Sequence, residues 1–141
     1  ILLGFAELKE LVPAQPHGVL ATTESYEEAH QEELHRLTRG MIRACRALND
    51  DFDTFHKVYT RNVSVEVPDS AVRTIWQQER ASHGFAVNGE LTRGHWQKEM
   101  DMYFELNPEL TPVTRQEVIA PDFVAAAIKA LGVYPGSDTP D

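Results

Sequence analysis

The sequence SYEEAHQEELHRLTRGMIRACRALN occupies residues 25–49 and predicts the longest helix of the chain. Side chains suited to a buried face recur along it at steps of three and four, the spacing of one face of an α-helix. They are Tyr26, His30, Leu34, Leu37, Met41, Cys45 and Leu48. Ser25 and Glu28 have the spacing of a capping box, so we expect the helix to begin at Ser25.

Local signals further along the chain predict more helices. Asp69 and Thr92 are each placed to cap a helix, and Thr114 with Glu117 has the spacing of a second capping box. A last helix is expected to start at Pro121, since proline suits a first helical position, and to end at a glycine.

Two short apolar runs precede the long helix, at residues 1–3 and 17–22, bounded by Gly4, Pro13 and Pro16. Such runs predict two short buried strands, with a further brief extended segment at 63–67. Neither strand is long enough to make a sheet alone. We therefore expect their unpaired edges to be completed by another part of the same protein or by a second chain.

Composition sets limits on function. The chain has 141 residues, of which 42% are hydrophobic and 25% charged, which fits one globular domain or a large piece of one. A net charge of −9 with scattered basic residues argues against nucleic-acid binding. No apolar run approaches the ~20 residues of a membrane-spanning helix. Because the chain begins with Ile1, we expect any targeting segment to lie outside it.

The histidines of the long helix raise the question of a metal site. Glu27 precedes His30, and Glu32 precedes His35, by the Glu-x-x-His spacing that di-iron bundles use. The two copies lie about 140° apart around one helix, so they cannot converge on one ion. No metal is expected, and an acidic helix face is the simpler interpretation.

Nucleophilic catalysis and nucleotide cofactors are also not indicated. Cys45 lies on the apolar stripe, which favours a buried structural thiol, and Ser82 with His83 lacks a nucleophile elbow. The glycines at 84, 89 and 94 match no phosphate-binding loop, so no cofactor is expected.

Four aromatic side chains on the later helices allow two interpretations. They could form a cage for a ligand, but their positions on helix faces favour core packing. The four are Trp76, Trp96, Tyr103 and Phe104.

Thr22 and Thr23 are the candidate ligand-binding residues on local grounds. They follow a predicted strand and precede a capped helix, and ligands of open α/β sheets collect at the carboxyl ends of strands. Two hydroxyls and the amides of a helix start could hold an anionic group there. The alternative is that these residues only make the turn from strand to helix.

The order of these segments resembles the C-terminal part of ABC-transporter substrate-binding proteins of the nitrate, sulfonate, taurine and thiamine-pyrimidine type. Residues 5–13 and 17–22 resemble the connection and the strand that returns to the first lobe. Residues 33–49 resemble the family's long helix, and 91–106 with 117–132 resemble its closing helices.

The resemblance implies an α/β fold: the C-terminal portion of a two-lobed, type II periplasmic-binding-protein fold, mostly helical with few short strands. Residues 1–135 would form this portion and 136–141 a flexible tail. It also implies non-catalytic binding of a small anionic or polar heterocyclic solute for an ABC permease, in the periplasm or outside the cell, with a lipid anchor possible. His17 joins Thr22 and Thr23 as an expected cleft residue.

Two alternatives from other classes stay open. An enzyme could occupy the same two-lobed scaffold, with lyase or pyrimidine-forming chemistry carried by residues outside this chain. A free-standing helical protein-interaction domain would instead use its aromatic helices as a groove for a partner.

Overall fold

The structure is a computed structural model, and it describes residues 19–89 and 91–139. Within these ranges all regular secondary structure is α-helical. The helices are α1 (Glu24–Ala29), α2 (Gln31–Asp50), α3 (Phe52–Asn62), α4 (Asp69–Ala81), α5 (Arg93–Leu106), α6 (Arg115–Val118) and α7 (Pro121–Leu131). None of them is both long and apolar enough to cross a membrane.

The α/β expectation is wrong for the described residues, which contain no strand and no sheet. The predicted strand at 1–3 and residues 17–18 of the second lie outside the described ranges. Residues 19–22 of that second run precede α1 without pairing, and Val19 and Leu20 are largely exposed. A short apolar run becomes a strand only where a neighbour accepts its backbone hydrogen bonds, and no described segment does so here. Residues 63–67 likewise form no ladder.

The start of the long helical segment also differs from the capping-box prediction at Ser25. Thr23 is the N-cap of α1, and its Oγ1 accepts a hydrogen bond from the Tyr26 amide at 3.3 Å. The helix then breaks at His30, whose φ of −130° is not helical, and α2 begins at Gln31. The single predicted helix is therefore two helices joined by one residue.

The helices divide into two compact units. Among the described residues, the larger unit comprises 22–89 and 121–139, and the smaller comprises 19–21 and 91–120. In the larger unit Phe55, Val72 and Trp76 form a buried cluster where α3 meets α4. The indole Nε1 of Trp76 donates to the Leu48 carbonyl at 2.8 Å, which fixes the end of α2 against this cluster.

The buried face of α2 coincides only in part with the predicted apolar stripe, whose last residue packs against the buried cluster. Ile42 is buried, and the His35 ring contacts the Phe123 ring of α7 with centroids 4.7 Å apart. Leu37 and Met41, in the middle of the predicted stripe, are instead 48% and 44% exposed. The face of α2 that packs against α7 carries both apolar and polar residues, and it is not the most apolar face of the helix.

The backbone at Gly89 lies very close to side chains of α7 and α2. Gly89 has φ of +74°, and a Cβ built there would lie 2.6 Å from Cγ1 of Val124 and 3.6 Å from Cδ1 of Ile42. Only glycine combines this backbone conformation with so little space. The turn after α4 is thereby held against α2 and α7.

Asn88, beside that glycine, is fully buried and bonds to the C-terminal segment. Its Oδ1 accepts from the Tyr134 amide at 2.8 Å, and its Nδ2 donates to the Tyr134 carbonyl at 2.9 Å. Nδ2 also reaches the Ser137 carbonyl at 3.3 Å. One side chain therefore satisfies both main-chain groups of Tyr134, which anchors the residues that follow α7.

In the smaller unit, several sequence predictions are confirmed. Helix α5 starts directly after Thr92 and ends at Leu106, before the Asn-Pro pair. The Thr114–Glu117 capping box is present: the Glu117 carboxylate accepts from the Thr114 amide and hydroxyl, both at 2.7 Å. These two bonds, the amide bond first, hold the pKa of Glu117 below its usual value.

Candidate functional site

An open groove of about 690 Å³ lies on the smaller unit, and we call it the α5 groove. One wall is a face of α5, because its lining residues recur at steps of three and four. The other wall is the connection that leads into α6. The lining residues are Arg93, Trp96, Gln97, Met100, Asp101, Phe104, Glu105, Pro112, Val113, Thr114, Arg115 and Gln116.

The apolar wall of the groove consists mainly of Trp96, Met100 and Phe104, all half-buried. The Phe104 ring meets the Tyr103 ring edge-on, with centroids 5.5 Å apart and an interplanar angle of 82°. Rings and a thioether together offer a flat, polarisable surface that favours another planar group.

Polar groups of both charge signs lie along the same groove. Gln97 Nε2 donates to Asp101 Oδ1 at 2.7 Å, one turn further along α5, so this carboxylate is held in position. Glu105 lies a turn beyond Asp101, while Arg93 and Arg115 supply the positive charges. Small-molecule sites combine apolar walls with a few placed polar groups, and this open groove has both kinds of lining.

Arg115 is the first residue of α6, which the capping box fixes beside the groove. Its Nη2 is 3.5 Å from the Leu91 carbonyl, at the long limit of a hydrogen bond. Its Nε is buried and finds no acceptor in the part of the chain that the structure describes. The guanidinium therefore retains hydrogen-bonding capacity, and it lines the groove.

Thr22 and Thr23 are not among the residues that line this groove. Thr22 is exposed, and Thr23 caps α1 while sharing a 3.2 Å hydrogen bond with the Ser25 hydroxyl. These residues therefore form the turn into α1 and its N-cap, and α1 has six residues. His17 lies outside the described residues, so its predicted role stays a prediction.

The Glu-x-x-His pairs have ordinary helix contacts. Glu32 is ion-paired with Arg36, and Nδ1 of His30 lies 3.9 Å from Oε2 of Glu33. The His35 ring contacts Phe123. No group of three or more potential metal ligands occurs in the described ranges.

The four aromatic residues have different environments. Trp76 is buried in the core of the larger unit, as core packing predicts. Trp96 and Phe104 line the α5 groove instead, and Tyr103 is 47% exposed. The sequence contains two signals for this groove. Apolar and polar residues recur at helical steps along α5, and a capping box further along the chain carries an arginine. Only the fold brings these two segments together.

Comparison with known protein families, curated proteins and solved structures finds no match to this chain.

Proposed function

We propose that the protein binds a small polar heterocyclic solute in the α5 groove without changing it covalently. The observation that supports this is the combination of ring walls with hydrogen-bonding groups of both charge signs along one groove of about 690 Å³. The ring faces of Trp96 and Phe104 would bury the plane of the solute, and the polar groups would fix its orientation.

The charge pattern favours a heterocycle over a simple inorganic anion. An anion near Arg115 would also lie in a groove that carries Asp101 and Glu105. A heterocycle with ring donors and acceptors can bond to both kinds of group and gains from apolar contact as well. A small anion would gain almost no apolar contact.

Delivery of the solute to an ABC importer is the second part of the proposal. It is supported by the resemblance of residues 33–49, 91–106 and 117–132 to helices of that family. Closure of two α/β lobes is not part of it, because the described residues form helices only.

Calorimetric titration tests binding, with aminopyrimidines, pyridine carboxylates, taurine and nitrate as probes. We expect a heterocyclic probe to bind, and taurine and nitrate, which have no ring, to bind at least tenfold more weakly. Phe104→Ala should weaken binding by about tenfold, since an aromatic contact contributes ~0.5–1.5 kcal/mol beyond the apolar area that it buries. Leu106→Ala is the matched control, because Leu106 is on the same helix, is 73% exposed and does not line the groove.

Mass spectrometry of the recovered probe distinguishes binding from catalysis. An unchanged probe supports the proposal, whereas turnover to a product would favour the enzyme alternative. No heat with any probe, or equal losses in Phe104→Ala and Leu106→Ala, would contradict the α5 groove as the site.

A further inference from the structure

The charged side chains of the α5 groove lie at different ends of it. Nη2 of Arg115 is 3.5 Å from the carbonyl of Leu91, which precedes the first residue of α5 by two positions. Asp101 and Glu105 follow about two and three turns after Arg93 on the same helix. The groove therefore has a positive end beside the start of α5 and a negative end toward the end of that helix.

Arg115 and Asp101 line one groove but are not paired with each other. The Asp101 carboxylate accepts from Nε2 of Gln97 at 2.7 Å. Arg115 forms no ion pair in the described ranges, where its Nε has no acceptor and its Nη2 has only the neutral Leu91 carbonyl. The chain has 22 acidic residues for 13 basic ones, yet no described carboxylate meets this half-buried guanidinium. Because a partly desolvated charge gains most from an opposite charge, Arg115 is suited to bind an external anion.

The spacing of the two charges suits one ring with a polar group at each end. Asp101 lies about 12 Å along the helix axis from Arg93, at a rise of 1.5 Å per residue. Its carboxylate lies nearer to the start of α5, because it bonds to Gln97, one turn back. The positive and negative groups are thus roughly 6–12 Å apart along the axis. A single six-membered ring with a hydrogen bond at each end spans such a distance.

Polar and apolar rows of α5 run side by side in the groove. Residues 93, 97, 101 and 105 form the polar row, and Trp96, Met100 and Phe104 form the apolar row, each at steps of four. A ring that lies with its face on the apolar row has one edge beside the polar row. Substituents on that ring can therefore reach Arg115 in one direction and Asp101 in the other.

We propose that the solute is a heteroaromatic carboxylate with an amino group on the opposite side of its ring. The assignment rests on the proposed function, since it names the class of heterocycle that the α5 groove binds. The carboxylate accepts from the Arg115 guanidinium, whose planar donors match its two oxygens, and the amino group donates to Asp101. The carboxylates of Asp101 and Glu105, which disfavour a simple anion, then face the donor end of the solute.

Calorimetric titration with three probes that share one ring tests the proposal. The probes are 6-aminonicotinate, 6-aminonicotinamide, which lacks the negative charge, and nicotinate, which lacks the amino donor. We expect 6-aminonicotinate to bind at least tenfold more tightly than either of the others, because hydrogen bonds to charged groups are the stronger ones. Equal affinity for 6-aminonicotinate and either other probe would overturn the proposal and leave the proposed function standing. Binding of an aminopyrimidine alone would do the same, whereas no binding of any heterocycle would contradict the proposed function as well.

Two variants test which side chain holds each end of the solute. Arg115→Gln should abolish the preference for 6-aminonicotinate over its amide and keep the preference over nicotinate, and Asp101→Ala should do the reverse. Lys98→Gln is the matched control for Arg115→Gln, since it removes the same charge from an exposed position of α5 that does not line the groove. Equal losses in Lys98→Gln and Arg115→Gln, or preferences that neither groove variant changes, would overturn the proposal. Circular dichroism controls for the fold of each variant, and the comparison of probes on the wild-type chain requires no variant.

Discussion

Arg46 on α2 donates to the main-chain carbonyl of Gly132 at 2.7 Å, directly after the end of α7. Its guanidinium also reaches the carbonyls of Leu131 at 3.3 Å and Val87 at 2.8 Å, and Oδ1 of Asn88 at 3.2 Å. The last carbonyls of a helix have no partner within it, and they form its negative end. One cation thus satisfies the end of α7 and the turn after α4 together.

Arg46→Ala should destabilise the protein by about 2–4 kcal/mol, since hydrogen bonds to a charged group contribute ~1.5–3 kcal/mol and the carbonyls would lose their partner. Arg46→Lys should recover only part of this, because an ammonium cannot match the planar donor set. Urea unfolding measures both. Arg43→Ala, at an exposed position of the same helix, should change stability by less than ~0.5 kcal/mol.

Gly89→Ala should destabilise the protein more than Gly132→Ala. Both glycines have positive φ, +74° and +76°, so both variants carry the backbone strain of ~1 kcal/mol. Only at residue 89 does the new Cβ also meet Val124, whereas nothing lies within 4 Å at 132. We expect an extra 1–3 kcal/mol, roughly, for Gly89→Ala in thermal or urea unfolding. Equal losses of stability in the two variants would contradict the close contact between residue 89 and Val124.

Tyr134 predicts a loss of stability at alkaline pH. Its hydroxyl donates to the Asp50 carboxylate, and this bond, with burial and the Asp50 charge, raises the pKa of Tyr134 above its usual value. The folded protein therefore holds the phenol proton more tightly than the unfolded chain does. Stability from this group is fully present below about pH 10 and is lost as pH rises through the folded pKa.

Unfolding free energies measured from pH 8 to 11 test this, with Tyr134→Phe as the comparison. The variant should be less stable at pH 8, and the gap between it and wild type should narrow as pH rises. A gap that stays constant through this range would show that the Asp50 contact does not govern the Tyr134 proton.

Asp51 predicts a loss of stability as the pH falls, which is the opposite pH dependence to that of Tyr134. As N-cap of α3, its carboxylate accepts from the Thr54 hydroxyl at 2.5 Å and from the amides of Asp53 and Thr54 at 3.1 and 3.3 Å. These bonds, the Thr54 hydroxyl first, lower the pKa of Asp51. The stability that they contribute is present above about pH 4 and is lost as pH falls through the folded pKa.

Asp51→Asn keeps a capping acceptor but removes the titration. Between pH 5 and 2 it should lose less stability than wild type, while Asp51→Ala should be less stable than both at pH 5. Guanidinium unfolding monitored by circular dichroism measures these differences. Identical acid profiles for wild type and Asp51→Asn would contradict the assignment.

Local signals in the sequence predicted several helix ends, because a cap depends on a few neighbouring residues. Two were wrong: Asp69 is the first residue of α4 and does not cap it, and Thr23 rather than Ser25 caps α1. The Thr114–Glu117 box, the start at Pro121 and the end at Gly132 all occur as expected. The strand at 17–22 was wrong in its described part because so short a run cannot specify its partner.

Which face of α2 is buried also could not be read from α2 alone. Periodicity identified the most apolar row, but Ile42, His35 and Arg46 are buried or engaged because α7 and the turn at Asn88 supply their partners. The α5 groove could not be predicted for the same reason. Residues 93–105 and 112–116, which line it, are separate in sequence, and neither segment indicates that it lies beside the other.

The buried Asn88 is followed by Gly89, the dipeptide in which attack of the glycine nitrogen on the asparagine side chain most readily converts asparagine to aspartate. Here that amide is held by Tyr134 and Ser137, and the Gly89 nitrogen donates to the Ala86 carbonyl at 3.1 Å, so the folded protein restrains both reactants. Deamidation at this position should therefore occur in molecules that have opened. The rate at which aspartate accumulates at this position in stored protein would therefore report how often the C-terminal segment detaches.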